Sequence, residues 1–300
     1  MNVRHFFALS RTPHALLDLA APAVTALLWA GQIPEIRTIV LGLVTSFAAY
    51  TAVYALNDLV DCRRDARRAA GCPDPDVDLD AAMQLHPVAQ GCLSFRAGLS
   101  WTLFWGVVAS VGSYLLNPVC LFMFLAACLF ETLYCALGGV TPFRAILAGV
   151  VKSAGPLAAI IAVDPTPSTG RFILFLAWLF LWEIGGQNIP NDLADVAEDS
   201  RLGFRTVPVS IGPGSVAAVT FAALVATVLL SLSLAPVAGT MGSILFALLT
   251  ALIGVGLLLF PGYRLFASAD RRNALYLFNR ASYYPLSLLV LTTARITLRL

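Results

Sequence analysis

Lysine is nearly missing from this chain: Lys152 is the only one in 300 residues. Charged residues of every kind amount to 12%, against 59% hydrophobic ones, and the mean hydropathy is +0.82. That shortage excludes a soluble domain, because a water-facing surface needs far more charge. The formal net charge of +2 says little about partners, and nucleic acid is not expected among them. Histidine is also scarce. His5, His14 and His86 are too scattered to suggest a ligand set. The six cysteines, at 62, 72, 92, 120, 128 and 135, form no CxxC pair, and three lie in predicted spans, so packing or free thiols fit better than disulfides or a zinc site. A cleavable signal in the usual form is missing too. The first apolar run follows Arg4 and Arg11 and carries Asp18, which reads as a retained first span.

What fills the chain instead is a series of apolar runs, each about 20 residues long, the mark of a multi-pass helical membrane protein. They fall near 15–33, 37–57, 97–116, 118–138, 144–163, 171–189, 213–234, 240–260 and 275–295. The expectation is an all-α fold of nine transmembrane helices, with residues 1–300 forming one domain.

Two acidic stretches interrupt the apolar background. Asn57–Asp65 reads NDLVDCRRD and Asn191–Asp199 reads NDLADVAED, both obeying N-D-L-x-D-x-x-x-D. At 100° per residue, Asp58, Asp61 and Asp65 fall within roughly 60° of one another on a helix, as do Asp192, Asp195 and Asp199. Each helix would carry a carboxylate row roughly 10 Å long. Six acidic groups converging on one site repel one another unless cations are present. Hard oxygen ligands suit Mg²⁺, which takes one or two carboxylates and shares the rest of its shell with phosphates and water. Two carboxylate rows facing a Mg²⁺–diphosphate is therefore the reading, with Asp58, Asp61, Asp65, Asp192, Asp195 and Asp199 as the metal-binding set.

Both motifs sit at the ends of even-numbered spans, which puts them on one side of the membrane. Thirteen arginines fall on that side, at 4, 11, 63, 64, 67, 68, 96, 144, 201, 205, 264, 271 and 272; four (37, 171, 295 and 299) fall on the other. This bias places the motif side, and the active site, in the cytoplasm, with the cell or plasma membrane as the expected location. The connection at roughly 58–96 holds the first motif, a basic patch and an acidic stretch in which Asp74, Asp76, Asp78 and Asp80 alternate. A calcium loop is rejected there: its sixth position would be Leu79 rather than Gly, and its twelfth Leu85 rather than Glu. A solvated loop covering the site is the plain reading. In the sixth span Pro190 precedes the second motif and should kink the helix or restart it.

The paired motifs resemble those of the UbiA superfamily of intramembrane prenyltransferases, which carry NDxxDxxxD after the second span and DxxDxxxD after the sixth. Here the matching positions are Asn57, Asp58, Asp61 and Asp65, then Asp192, Asp195 and Asp199, continuing into Gly203 and Thr206 like the family's GxxT tail. The resemblance covers most of the chain. It implies a helical bundle around a central cavity and Mg²⁺-dependent transfer of an isoprenyl chain from its diphosphate to an acceptor. One departure stands out. Family members commonly follow the first motif, after a shorter spacer, with an Arg-Pro pair; this chain has His86-Pro87 after a longer, acidic one.

On this reading Asp58, Asp61, Asp192 and Asp195 neutralise the departing diphosphate through the metal, with Asp65 and Asp199 one turn further out. Asn57, Asn188 and Asn191 ligate or hydrogen-bond without adding charge. Arg64, Arg68 and Arg205 are the candidates for direct diphosphate contact, since guanidinium forks match phosphate oxygens. Lys152, inside the fifth span, either reaches the diphosphate or pairs with Glu131. Glu183, Gln187 and Asn191 form a polar stripe lining the cavity, where Glu183 orients an acceptor, serves as a base or holds a packing hydrogen bond. Asp18, one turn from His14, invites the same readings. Tyr50, Tyr54 and Tyr134 offer π faces to a carbocation. The expected partners are an isoprenyl diphosphate donor, an aromatic or other lipophilic acceptor and the lipid bilayer. A membrane terpene cyclase using the same site without an acceptor is the alternative. A cation transporter fits poorly, because the acidic rows sit at span ends beside arginines rather than at mid-bilayer.

Overall fold

The computed structural model describes residues 2–69, 86–234 and 241–298, with the side chains at 67–69 and 241–243 outside the description. All regular structure within these residues is helical. In chain order the α-helices are α1 (Val3–Leu9), α2 (Thr12–Asp18), α3 (Ala20–Ala30), α4 (Ile36–Ala69), α5 (Phe95–Leu116), α6 (Pro118–Ala136), α7 (Arg144–Val163) and α8 (Thr169–Trp182). There follow α9 (Ile189–Ala194), α10 (Val196–Leu202), α11 (Val207–Ile211), α12 (Pro213–Leu234), α13 (Met241–Gly254), α14 (Phe260–Ala267), α15 (Arg271–Ser282) and α16 (Tyr284–Leu298).

Among the described residues, eight helical stretches are long and apolar enough to cross a membrane, from Thr12–Ala30 to Ile244–Ala267. The ninth expected span is present as two helices, α15 and α16, which meet at Tyr283. Pro285 in the first turn of α16 lacks an amide proton to continue the earlier ladder, which accounts for the break. The first motif belongs to a helix rather than a connection. α4 runs 34 residues without interruption and carries Asp58, Asp61 and Asp65 beyond its apolar portion. The acidic stretch 74–80, read above as a solvated cover, lies outside the described residues.

Local signals explain the helix ends. Asn117 closes α5 with its amide, which bonds to the Ser113 carbonyl, and opens α6 with its side chain, which accepts from Val119 N at 2.9 Å. One residue thus turns the chain between two spans. Gly31 (φ 66°) ends α3 in the left-handed conformation that only glycine adopts freely. Two π-helical turns, Glu183–Asn188 and Val255–Leu259, each end two residues before a proline, Pro190 and Pro261. The wider turn accommodates the missing donor of each proline, so the sixth span passes through a π-bulge before continuing as α9.

Much of the bundle joins spans adjacent in sequence, and α3 packs across it against α7. α4 packs along α5, α6 along α7, α7 along α8 and α8 along α12, while α16 returns against α3 to close the ring. Packing around α4 uses small residues, with Ala48, Ala52 and Ala109 buried against Phe124. Close approach of this kind drives helix association where water is absent. The other half packs around Phe175, Trp178 and Tyr284, all fully buried. A cavity of about 550 Å³ runs through the ring.

Candidate active site

One end of the cavity is polar. Asn57, Tyr134, Asn188 and Asn191 line it there, and the two acidic rows lie beside them. On α4 the sevenfold spacing of Asp58 and Asp65 puts them within about 20° of each other, whereas Asp61 is turned about 60° from Asp58. The side chains divide accordingly. His86 Nδ1 lies 2.6 Å from Asp58 Oδ1 and 3.0 Å from Asp65 Oδ2. Asp61 instead accepts from Arg64 Nη1 at 2.9 Å. Arg64 also donates to the Cys135 carbonyl on α6 and lies 5.5 Å from the Phe204 ring centre.

His86 is held by a built turn. Its carbonyl accepts from Gln90 N at 3.0 Å, and the Pro87 carbonyl accepts from Cys92 and Leu93 at 2.9 and 3.0 Å. Leu93 then packs with Leu9 and Ala55. The backbone of His86 is left-handed (φ 54°), a conformation that costs a non-glycine residue free energy and is further crowded by a following proline. Burial of the ring disfavours its charged form. Hydrogen bonds to Asp58 and Asp65 outweigh that, and the imidazole is pushed up to about 9.

The second row begins at the π-turn. Gly185 and Gly186 let this turn sit against α12 and α15: a Cβ on Gly186 would stand 2.9 Å from Ala281 Cβ. Beyond Pro190, Asp192 is buried and accepts from Arg144 Nη2 at 3.2 Å. Arg144, in the first turn of α7, lies 4.4 Å from the Tyr134 ring centre, and the Tyr134 hydroxyl accepts from Asn188 Nδ2 at 3.3 Å. Asp195 sits at the junction of α9 and α10, and Asp199 is buried one turn later. Arg144 interacts electrostatically with Asp192 and Asp199 and also with Asp61 from the first row. One buried guanidinium is therefore ion-paired with the second motif and lies within electrostatic range of the first.

The remaining expected site residues are distributed as follows. Arg205 donates to the Val140 carbonyl at 3.4 Å, on the turn between α6 and α7. The Arg68 side chain lies outside the described residues. Lys152 does not hydrogen-bond to Glu131: its Nζ is 2.6 Å from Asp18 Oδ2 and contacts the Tyr54 hydroxyl, which also donates to Asp18. Its ammonium lies 4.9 Å from the Tyr54 ring centre and 5.9 Å from that of Tyr50. Glu131 accepts instead from Asn57 Nδ2. Lys152 and Glu183 both line the cavity, and Glu183 Oε2 is buried without a hydrogen-bond partner. Lys152, Asp18, Tyr54 and Glu183 form a polar waist, about 12 Å along α7 from Arg144 at 1.5 Å per residue.

Arg144 and His86 were not in the expected site. The one counted only toward orientation and the other only as a departure from a family pattern. A cation in the first turn of an apolar span, eight residues before a buried lysine, was the available signal for Arg144.

A multi-pass helical bundle with two facing acidic motifs over a cavity defines the class, an integral membrane protein of intramembrane-enzyme architecture. The chain belongs to the UbiA prenyltransferase family, which it matches over residues 19–283. Among solved structures it is similar to the apo form of a UbiA homolog from Aeropyrum pernix K1, at 18% identity and a TM-score of 0.71, covering 95% of this chain and 98% of that one. It is likewise similar to a UbiA homolog from Archaeoglobus fulgidus bound to DMAPP and Mg²⁺ (18% identity, TM-score 0.70, 97% and 99% covered). A digeranylgeranylglyceryl phosphate synthase structure matches at 15% identity and a TM-score of 0.69, covering 98% of this chain and 99% of that one. At these identities the likeness is one of fold. No curated protein matches the sequence.

Proposed function

We propose that the chain transfers an isoprenyl group from its diphosphate to a lipophilic acceptor, with Mg²⁺ held between the two acidic rows at the cytoplasmic end of the cavity. The observation that carries this reading is the pair of acidic rows at the polar end of a cavity otherwise suited to a hydrocarbon chain, with Arg144 ion-paired to Asp192 and within electrostatic range of Asp61. The similar Archaeoglobus protein is bound to DMAPP and Mg²⁺, which supports the donor class. The residues suit the ion: the carboxylates are hard oxygen donors, and Asp58 Oδ2 is a buried acceptor without a partner.

Asp58, Asp61, Asp65, Asp192, Asp195 and Asp199 would hold the metal, with Asn57, Asn188 and Asn191 completing the wall. Mg²⁺, when bound, supplies positive charge where the leaving diphosphate becomes more negative. Arg144 adds a fixed guanidinium at the same place, and Arg64 and Arg205 would line the approach, with Arg68 a further candidate on its sequence position alone. Tyr134 presents its ring beside Asn188, and Tyr54 and Tyr50 continue the π surface inward from Asp58. The prenyl chain would lie toward Ile39, Leu43 and Val163, which line the cavity further on. The polar waist supports transfer over cyclisation, because a cation folding on itself needs apolar walls, whereas Lys152 and Glu183 offer hydrogen bonds to an acceptor. The arginine bias supports a cytoplasmic position for the acidic end.

Incubation of the purified protein with isoprenyl diphosphates of several lengths, a panel of lipophilic phenols and Mg²⁺ should give prenylated products by mass spectrometry, abolished by EDTA. Cyclised hydrocarbons formed with no acceptor present would establish the cyclase reading instead. No metal-dependent diphosphate release with any donor would remove both.

A further inference from the structure

We propose that His86 is itself a metal ligand, joining Asp58 and Asp65 through Nδ1, and that this position consequently prefers Mn²⁺ or Co²⁺ to Mg²⁺. The inference rests on reading the acidic motifs as a metal site, and it concerns which ion the first row selects.

Three ligand atoms, one each from Asp58, Asp65 and His86, lie within 4.8 Å of one another. The His86 Nδ1 separations of 2.6 and 3.0 Å from the two carboxylate oxygens are close to the spacing of adjacent ligands around one ion of about 2.1 Å bond length. Two independent features point the same way. Asp58 is 4% exposed, and its Oδ2 is buried without a hydrogen-bond partner, a vacancy in charge compensation that the imidazole alone does not fill. His86 also adopts a left-handed backbone directly before Pro87, and the 86–93 turn holds it there through four main-chain hydrogen bonds. Backbone strain held in place by its surroundings concentrates where a side chain must be aimed.

The ligand set decides the ion. Mg²⁺ takes oxygen ligands and keeps much of its water. Imidazole nitrogen suits first-row transition metals, whose affinities rise from Mn²⁺ to Co²⁺. Two carboxylates and one imidazole leave further positions open, so Asp61 and diphosphate oxygens can complete the shell. In the metal-bound state the ion takes the place of the proton shared between His86 and the carboxylates.

The test uses the full-length protein in detergent, stripped with EDTA, with inorganic diphosphate present. Mn²⁺ binding is followed by electron paramagnetic resonance, Mg²⁺ by competition and the ligand nitrogen by electron spin-echo modulation. The expected result is nitrogen coupling in the wild-type Mn²⁺ signal, lost in His86→Asn, together with a Mn²⁺-over-Mg²⁺ preference that collapses by about tenfold or more in that variant. A wild-type spectrum without nitrogen coupling overturns the proposal whatever the variant does, and so does an unchanged preference in a folded His86→Asn. If neither ion binds the wild type at all, it is the metal-site reading that falls.

Discussion

Arg144 Nη2 lies 3.2 Å from Asp192 Oδ1, with both side chains over nine-tenths buried. A pair this dry is costly to break from one side, because the surviving charge keeps its desolvation penalty without a partner. Arg144→Met should therefore destabilise the metal-free protein by about 3–5 kcal/mol. The double variant Arg144→Met/Asp192→Asn should recover most of that loss and still fail to turn over. Thermal unfolding in EDTA, set beside an activity assay, reads both. Equal melting of wild type and Arg144→Met would mean that the pair carries no weight.

The His86 contact makes stability depend on pH in a defined direction. Its folded-state pKa, about 9, lies above the 6.5 of a free imidazole, so the protonated ring stabilises the fold. That contribution is fully present below pH 6.5 and disappears as pH rises through 9. It amounts at most to about 3 kcal/mol, at 1.36 kcal/mol per pKa unit. In EDTA the melting-temperature gap between wild type and His86→Gln should shrink from pH 6.5 to pH 10. A gap that stays constant across this range would show that the ring is not charged in the fold.

The polar waist predicts acceptor choice. Asp18 and Glu183 supply two carboxyls, and Lys152 is the one ammonium beside them, bonded to Asp18 at 2.6 Å. A carboxylated acceptor would add uncompensated charge there, whereas a hydroxyl satisfies Glu183 whether that group is ionised or protonated. para-Hexylphenol should bind the wild type about tenfold more tightly than its methyl ether, and Glu183→Leu should erase the difference. Microcalorimetry on the two ligands decides it. A preference that survives in Glu183→Leu would move the acceptor site elsewhere.

Much of this site is visible in the chain because its parts are local. Asp58, Asp61 and Asp65 need only helical periodicity to share a side, and the repeat at Asp192, Asp195 and Asp199 needs nothing more. Span parity then puts the rows at one end. Pairings made by tertiary packing are different in kind. Arg144 and Asp192 are 48 residues apart, and Lys152 and Asp18 are 134 apart. Sequence shows that each charge must be compensated in the membrane but not by whom, which is why Glu131 was as reasonable a partner for Lys152 as Asp18. Pro190 announces a defect in the sixth span. Its form, a π-turn and not a simple kink, goes with the missing donor of Pro190 together with the close seating of Gly185 and Gly186 against α12 and α15.

That close approach gives a prediction joining fold to site. A Cβ on Gly186 would stand 2.9 Å from Ala281 Cβ, an atom fixed to its own backbone and unable to swing aside. Gly186→Ala must push the π-turn away from α15, at a cost of about 1–3 kcal/mol for overpacking. The displaced turn carries Gln187, whose side chain donates to the Phe278 carbonyl at 3.3 Å, and Asn188, which bonds to Tyr134. Turnover should fall along with the melting temperature. Gly106→Ala in α5 is the contrast: nothing lies within 4 Å of its added methyl, so it should leave turnover intact and melt no lower than wild type. If the two alanine variants behave alike, the π-turn tolerates displacement and the site does not depend on its seat against α15.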